Sequence, residues 1–198
     1  MVYYTKRDAI DAFGRSRIRL SKSADQILRE NVQLSSETDL FDIFLSHCLS
    51  DSEQVAGVKA LLEEQGFKVY VDWIVDRHLD RTSVNAETAE TLRRRMKQCS
   101  SMFFVTSSVS PNSKWMPWEL GYFDGLKKGR ISILPLVENE ASQFAGQEYL
   151  GLYPVIEKVE KNGKNTPVVS RARLSGIGRE YMGVKDLLTG SRAFKAIY

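Results

Sequence analysis

The sequence lacks the features that mark several common protein classes. Its 198 residues include only two cysteines, Cys48 and Cys99, which form neither a CxxC pair nor a zinc-binding pattern. A disulfide framework is therefore excluded, and we expect two reduced, partly buried thiols. No apolar run approaches the roughly 18 residues that a membrane-spanning helix needs. The segment 1–22 is rich in Lys and Arg and has no apolar signal-peptide core, so we expect a cytoplasmic protein.

Charge is distributed unevenly along the chain, although the net charge is only +3. Residues 1–35 carry seven basic and four acidic groups, residues 36–155 carry 12 and 17, and residues 156–198 carry nine and four. The centre is thus acidic and the two ends are basic. A nucleic-acid-binding protein would place a basic stripe with interleaved aromatic residues on its body, so no nucleic-acid partner is expected.

The central region alternates between strand-like and helix-like segments. Short runs rich in β-branched and aromatic residues predict five strands. These are Phe41–Ser46, Phe67–Trp73, Ser101–Thr106, Ile131–Val137 and Tyr153–Val159. Apolar residues at helical spacing predict a helix in each intervening segment, including a weaker one over about 140–150. The pattern predicts an α/β fold with three layers: a flavodoxin-like, mostly parallel five-stranded sheet of order 2-1-3-4-5, covered by helices on both faces.

The flanking segments divide the chain into three parts. Residues 1–38 form an N-terminal helical extension, with one or two short helices predicted within 4–30. Residues 39–159 form the central domain, and residues 160–198 are a basic C-terminal extension packed on the same body. The segment Lys161–Asn165 is typical of a turn and is consistent with a hairpin continuing into Thr166–Val169. The three arginines Arg93–Arg95 are expected mostly to face solvent.

Polar and aromatic side chains gather where the predicted strands end. They are, in chain order, Ser46, His47 and Cys48 after the first strand, Asp72 and Trp73 after the second, and Thr106, Ser107 and Ser108 after the third. Ligands of open parallel sheets bind at the carboxyl ends of the strands, where the strand order reverses. The next helix begins with Trp115, Trp118 and Glu119. Indoles offer flat faces to a heteroaromatic ring, and the helix dipole stabilises an ionised carboxylate in a first turn.

Three of these segments resemble a bacterial Toll/interleukin receptor (TIR) domain. They are Asp42–His47, Val69–Trp73 and Trp115–Glu119, the last with the spacing of the family's Trp-x-x-x-Glu signature. The resemblance covers residues 40–140 and implies the same parallel sheet that the periodicity predicts. Pro117 and Trp118 lie inside the signature, and the loop 74–84 contains no glycine, so its details cannot be carried over from the family.

The resemblance implies an enzyme that cleaves the bond between nicotinamide and ribose in NAD⁺. Glu119 occupies the position of the family's catalytic glutamate. The resemblance further implies that Phe44 and Trp115 sandwich an aromatic ring of the substrate, and that the remaining pocket residues line its walls. Those residues are Ser46, His47, Asp72 and Trp73. No metal and no cofactor are implied, because NAD⁺ is the substrate. Self-association is expected for activity.

The chemistry agrees with a carboxylate in that role. Nicotinamide in NAD⁺ is already a cationic leaving group, so no strong general acid is needed. The transition state resembles an oxocarbenium ion, as in glycoside hydrolysis, and an ionised carboxylate can orient the ribose and stabilise the developing positive charge. Water would then give ADP-ribose, an intramolecular ring nitrogen would give a cyclic ADP-ribose isomer, and an added nucleophile would give a base-exchange product.

We expect such a protein to make a nucleotide signal in antiphage defence of the Thoeris kind. Two alternatives remain open: a non-enzymatic TIR module that assembles partners, and another N-glycosidic enzyme such as a nucleoside deoxyribosyltransferase. Each site residue also has an ordinary structural interpretation. Glu119 could be a plain first-turn acid, whereas Phe44, Trp115 and Trp118 could be core residues. A His47–Cys48 catalytic pair is disfavoured because adjacent side chains on an extended chain diverge.

Overall fold

Strands and helices alternate along most of the chain. The computed structural model describes residues 2–47, 52–71, 86–107, 113, 115–144, 146–161, 163–173, 175–191 and 193–196. The strands are β1 (Tyr4–Thr5), β2 (Phe41–Ser46), β3 (Val69–Val71), β4 (Cys99–Thr106), β5 (Ile131–Val137), β6 (Val155–Lys161), β7 (Lys164–Ala172), β8 (Arg179–Gly183) and β9 (Lys195–Ala196). The helices are α1 (Lys6–Leu20), α2 (Ala24–Gln33), α3 (Ser52–Glu63), α4 (Ala86–Gln98), α5 (Trp115–Leu126) and α6 (Val184–Thr189).

These strands form one sheet of order β3-β2-β4-β5-β6-β7-β8-β9, with β1 paired to β5. The five strands β3, β2, β4, β5 and β6 run parallel to their neighbours. Numbered by their order in the central region, they have the arrangement 2-1-3-4-5 that the sequence predicts. The α/β fold class with a mostly parallel sheet is confirmed. None of the described helices is long and apolar enough to cross a membrane.

The sheet continues beyond its five parallel strands. β7, β8 and β9 are each antiparallel to the strand before them. The β6–β7 hairpin ends at the pair Lys161 and Lys164, and Gly163 adopts a left-handed conformation (φ 71°) that glycine tolerates without steric cost. The hairpin is therefore longer than the turn signal indicates. The predicted end of the central domain, residue 159, lies inside β6.

The weak helix expected over about 140–150 is not formed. The described part of that segment contains turns, followed by a 3₁₀ helix over Glu148–Leu152. Glycine destabilises a helix interior by about 1 kcal/mol relative to alanine; Gly146 lies within this segment and Gly151 directly follows it. The prediction of an α-helix there was wrong.

The N-terminal segment is built into the sheet. Tyr4 in β1 pairs with Leu136 in β5, and the Lys158 amide donates a hydrogen bond of 2.9 Å to the Val2 carbonyl. β1 thus lies between the carboxyl-terminal halves of β5 and β6. α1 also approaches α3 closely, since a Cβ added at Gly57 would lie 2.0 Å from the Ala9 carbonyl oxygen.

The two faces of the sheet bury separate cores. One core contains Ile43, Leu45, Phe103 and Val105, together with residues of α1, α2 and α3. The other contains the alternate positions, among them Phe44 and Phe104, together with residues of α4 and α5. Because side chains alternate along a strand, Ser46 points to the α4/α5 face.

Two side chains of α4 hold the segment that enters β2, and we call them the amino-edge clasp: Arg95 and Gln98. The Arg95 guanidinium donates hydrogen bonds of 2.9 Å to each of the carbonyls of Ser35 and Ser36. The Gln98 amide donates to the carbonyls of residues 36, 37 and 39 at 2.9–3.0 Å. The expectation that Arg95 faces solvent was wrong, because it is only 9% exposed.

Candidate active site

A buried carboxylate meets a buried hydroxyl at the carboxyl end of β2. Ser46 Oγ donates a hydrogen bond of 2.6 Å to Glu119 Oε2. Ser46 is fully buried and Glu119 is 2% exposed. Hydrogen bonds to a charged acceptor are shorter and stronger than neutral ones, so this contact fixes the position of the carboxylate. Glu119 is the predicted catalytic residue and Ser46 is one of the predicted pocket residues.

The sheet topology explains why these two residues meet. β2 is the strand where the order reverses: the chain passes through α3 to β3 on one side, whereas β4 and β5 lie on the other. Ser46 ends β2, and Glu119 is the fifth residue of α5, which follows β4. The first turn of α5 contains no acidic residue, so the expectation of a first-turn carboxylate was wrong by one turn. The Ser113 hydroxyl accepts a hydrogen bond from the Met116 amide at 3.2 Å and helps to start α5 there. The pair thus lies at the reversal point, where open parallel sheets bind ligands.

The enclosure of Glu119 affects its electrostatics. A carboxylate shielded from bulk water interacts more strongly with a nearby positive charge than an exposed one, because the effective dielectric constant is lower. A substrate that develops positive charge beside Glu119 would therefore be stabilised more than it would be at the protein surface.

The aromatic residues of the predicted site pack against other protein rings. Phe44 is fully buried and stacks on Tyr70, with ring centroids 5.8 Å apart and planes at 27°. Trp115 is 3% exposed and lies edge-to-face against Trp118 at 5.4 Å. Phe44 and Trp115 belong to the same core on the α4/α5 face. That they sandwich a substrate ring stays a prediction.

The indole of Trp115 carries a buried donor. Its Nε1 atom has no hydrogen-bond acceptor among the residues that the structure describes. An unsatisfied buried donor costs about 1–3 kcal/mol, so such groups are rare in native proteins and their retention needs a reason. A bound ligand with an oxygen or nitrogen acceptor would supply the missing partner.

An aromatic stack extends from Trp115 along α5, and we call it the α5 stack: Trp118 and Tyr122, covered by Arg93 of α4. Trp118 and Tyr122 are stacked at 5.7 Å with planes at 14°. The Arg93 guanidinium lies 5.4 Å from the Trp118 ring centroid and 5.9 Å from that of Tyr122. The i, i+3, i+7 spacing of Trp115, Trp118 and Tyr122 could have indicated this stripe, but the partner on α4 leaves no signal in the sequence.

The other predicted site residues have different outcomes. His47 is 4% exposed and directly follows Ser46. Asp72 and Trp73 lie outside the described residues, as do Cys48 and the loop 74–84. Cys99 is a free, fully buried thiol, and burial raises its pKa well above the usual value. Within the described part of the chain, no three His, Cys, Asp or Glu side chains are grouped as a metal site.

Two known proteins resemble this chain, one of them over most of its length. The chain is 46% identical over 139 residues to a protein of Bacillus cereus (strain MSX-D12) named "Probable 3' cyclic ADP-D-ribose synthase ThsB'". That match spans 70% of this chain and 72% of the relative. The chain is also 30% identical over 90 residues to a Cytobacillus dafuensis protein named "Putative cyclic ADP-D-ribose synthase TIR2". That match spans 45% of this chain and 24% of the relative. Residues 43–161 match the TIR domain family. This match covers the parallel sheet and the Ser46–Glu119 pair, and the chain belongs to the TIR domain family.

Proposed function

We propose that the protein is an NAD⁺-cleaving enzyme that converts NAD⁺ into nicotinamide and a cyclic ADP-ribose, with Glu119 as its catalytic residue. Two findings support this proposal. The relatives that share the TIR domain are named as cyclic ADP-D-ribose synthases. The buried Ser46–Glu119 hydrogen bond places an oriented carboxylate at the reversal point of the sheet, and this single observation carries the assignment of the site.

The reaction begins with cleavage of the bond between the ribose anomeric carbon and the nicotinamide ring nitrogen. The bonding electron pair leaves with nicotinamide, which becomes neutral, and positive charge develops on the ribose. Glu119 stabilises that charge through its carboxylate and orients the ribose by accepting hydrogen bonds from its hydroxyls. Ser46 holds Oε2 at 2.6 Å, so the carboxylate need not reorganise as the charge develops.

The second step joins a nucleophile to the anomeric carbon. An atom of the adenosine half of the same substrate closes the ring and gives a cyclic product, whereas water gives ADP-ribose. Enclosure of the carboxylate limits the access of water to the cation and thus favours the cyclic product.

Other site residues bind the substrate in this proposal. Phe44, His47 and Trp115 bind the substrate from the described part of the chain, and Asp72 and Trp73, which lie outside the described residues, are assigned the same role from the family resemblance. Because the Trp115 indole N–H lacks a partner among the described residues, it is available to donate to an acceptor of the substrate. Activity requires self-association, and the product acts in the cytoplasm as a nucleotide signal in antiphage defence.

The test follows nicotinamide release and product mass with purified protein and NAD⁺. The wild-type protein, Glu119→Ala, Glu119→Gln and the control Glu87→Gln are compared at several protein concentrations, with and without phage-infected lysate. Glu87 is exposed in the first turn of α4. We expect cleavage by the wild type and by Glu87→Gln, and a loss of at least about 1,000-fold in both Glu119 variants.

Three results would contradict parts of the proposal. Cleavage that survives both Glu119 substitutions would remove Glu119 from the mechanism. The absence of turnover under every condition would favour a non-enzymatic assembly module. Cleavage of deoxynucleosides in place of NAD⁺ would favour a deoxyribosyltransferase, although TIR family membership argues against that activity.

A further inference from the structure

A pocket lies near the Ser46–Glu119 pair, on the same edge and the same face of the sheet. Its volume is about 300 Å³, and it is lined by the ends of β4 and β5 and by the segment that follows β5. Thr106 ends β4 and Val137 ends β5, so the pocket opens at the carboxyl edge. A volume of this size suits one ring system and not a whole dinucleotide.

The strand register relates this pocket to Ser46. Ser46 pairs with Phe104 in β4, and Thr106 pairs with Pro135 in β5. Side chains two residues apart share a face, so Ser46, Thr106 and Pro135 all point to the α4/α5 face. Because β4 lies between β2 and β5, Ser46 on β2 and the pocket at the end of β5 are two strand spacings apart, or about 10 Å. Two riboses joined by a pyrophosphate are long enough to bridge that gap.

The lining of the pocket has the chemistry that recognises a purine base. Phe144 offers a half-buried aromatic ring, and Gln143 offers an exposed amide that forms no hydrogen bond with the described residues. An amide donates and accepts at once, and Gln side chains form such paired hydrogen bonds with the edge of adenine. Hydroxyls of Thr106 and Ser142 also line the pocket.

The Phe144 ring is fixed in position before any ligand binds. It lies edge-to-face against Tyr3, with centroids 6.3 Å apart. On another side it contacts Gly146, where an added Cβ would lie 2.4 Å from the ring atom Cζ. A preoriented ring loses little conformational entropy when a base stacks on it, which favours binding.

From this geometry we propose that the pocket formed by Thr106, Pro135, Val137, Gln143 and Phe144 binds the adenine base of the dinucleotide. The inference rests on the proposed function for the identity of the dinucleotide. With the base held beside β5, the attached ribose and its hydroxyls are directed back toward Glu119. The pocket would therefore raise the affinity for the dinucleotide. It would also favour attack on the anomeric carbon by the adenosine half of the same molecule.

The first test measures AMP binding by calorimetry, which requires no turnover. The proteins are the wild type, Gln143→Ala, Gly146→Ala and the control Gln33→Ala, which removes an exposed amide at the end of α2. We expect Gln143→Ala to weaken AMP binding about tenfold, in line with one paired contact to a base edge. Gly146→Ala should weaken it by displacing the Phe144 ring, and Gln33→Ala should bind like the wild type.

The second test measures the KM and kcat for NAD⁺ in the same proteins. We expect Gln143→Ala to raise KM about tenfold and to change kcat less than twofold. Unchanged AMP affinity and unchanged KM in both pocket variants would overturn the purine site while leaving NAD⁺ cleavage intact. Conversely, AMP binding that depends on Gln143 in a protein that never cleaves NAD⁺ would support the pocket and refute the proposed enzyme.

Discussion

The two edges of the parallel sheet use buried polar groups in opposite ways. At the amino edge, Arg95 and Gln98 donate to the carbonyls of residues 35, 36, 37 and 39. At the carboxyl edge, Glu119 accepts a hydrogen bond from the Ser46 side chain, and the nearby Trp115 Nε1 finds no acceptor among the described residues. The amino-edge groups bind backbone and stabilise the fold. The carboxyl-edge groups surround Glu119, the residue that we propose acts on the substrate.

The comparison shows that burial of a charged group does not by itself indicate function. Arg95 and Glu119 are both buried, yet the partners of Arg95 are mostly main-chain carbonyls, which every fold must satisfy. Measurements of stability and catalysis in the same variants separate the two roles.

Breaking the amino-edge clasp should reduce stability without changing catalysis. Arg95→Met keeps much of the side-chain volume but leaves the carbonyls of Ser35 and Ser36 without their donor. We expect a loss of about 3 kcal/mol in the free energy of unfolding, measured by urea denaturation, because buried acceptors become unsatisfied. The kcat for NAD⁺ should stay within twofold below the unfolding temperature.

The matched control for the clasp is Arg94→Met. Arg94 pairs with Glu37 at 2.7 Å, but both side chains are largely exposed, so we expect a loss of at most about 0.5 kcal/mol. A fall in kcat in Arg95→Met comparable to that of a Glu119 variant would contradict the division of roles between the two edges.

Removing the hydroxyl at the carboxyl edge should reduce catalysis more than stability. Ser46→Ala deletes the donor to Glu119, and a hydrogen bond to a charged group is worth about 1.5–3 kcal/mol, so we expect kcat to fall about 10- to 100-fold. KM should change little if the hydroxyl acts as proposed, by orienting the Glu119 carboxylate and not by binding the substrate. Steady-state kinetics of nicotinamide release measures both constants.

Ser101→Ala is the control for Ser46→Ala. Ser101 is equally buried, and its hydroxyl donates to the Asp42 carbonyl at 2.9 Å near the amino end of β4. We expect a cost in stability and an unchanged kcat. Equal kcat values for the Ser46 variant and the wild type would exclude the positioning role of the hydroxyl.

The N-terminal segment should stabilise the sheet in a pH-dependent way. Partial burial raises the pKa of Asp8, but hydrogen bonds from Lys158 and Thr5 outweigh this and hold that pKa below its usual value. The stabilisation is therefore complete above the unfolded pKa of about 4 and is lost as the pH falls through the lower folded value. We expect Asp8→Asn to cost about 1–2 kcal/mol at pH 7 and less at pH 3, by urea denaturation.

The control for Asp8 is Asp11→Asn on the same helix. Asp11 is 61% exposed and lies 3.9 Å from Arg7, so its replacement should change the stability by less than about 0.5 kcal/mol at either pH. A cost for Asp8→Asn that does not decrease in acid would show that the ionised Asp8 carboxylate is not what stabilises the N-terminal segment.

The α5 stack should give the smallest effect. Arg93→Ala removes a partly exposed guanidinium from the Trp118 and Tyr122 rings, and exposed cation–π contacts are worth about 0.5–1 kcal/mol. We expect a loss of that size in thermal denaturation and a kcat within threefold of the wild type. A larger fall in kcat would show that the stack orients Trp115 for the reaction.

Local patterns in the sequence were sufficient to predict the parallel half of the fold. Continuous apolar runs such as Ile131–Val137 indicate strands buried on both faces, and this strand is buried throughout. The segments between the strands are long enough for crossover helices, so the parallel arrangement follows. The antiparallel half was less visible, because strands such as β8 carry a mixed burial pattern and few apolar residues.

The candidate site was predicted in part for a similar reason. Ser46 ends a strand and Glu119 lies near the start of a helix, and both elements are predicted from the sequence. In an open parallel sheet, the carboxyl ends of the strands meet where the strand order reverses, which brings the two residues together. The position of Arg95 inside three successive arginines indicates a solvated face, and only the packing of residues 35–39 against α4 makes it a buried residue. The edge contact of Trp115 with Trp118 and the stacking of Phe44 on Tyr70 likewise depend on which helices share a face.

Local sequence patterns determined the five parallel strands, their order, most of the helices between them, and the delivery of Ser46 and Glu119 to the carboxyl edge. The physical reason is that hydrophobic periodicity and connection length act locally along the chain. Tertiary packing decided that Ser46 donates to Glu119, that β1 enters between β5 and β6, and that a pocket of about 300 Å³ lies at the ends of β4 and β5. These contacts join residues that are far apart in sequence, and their geometry is set only when both cores are packed.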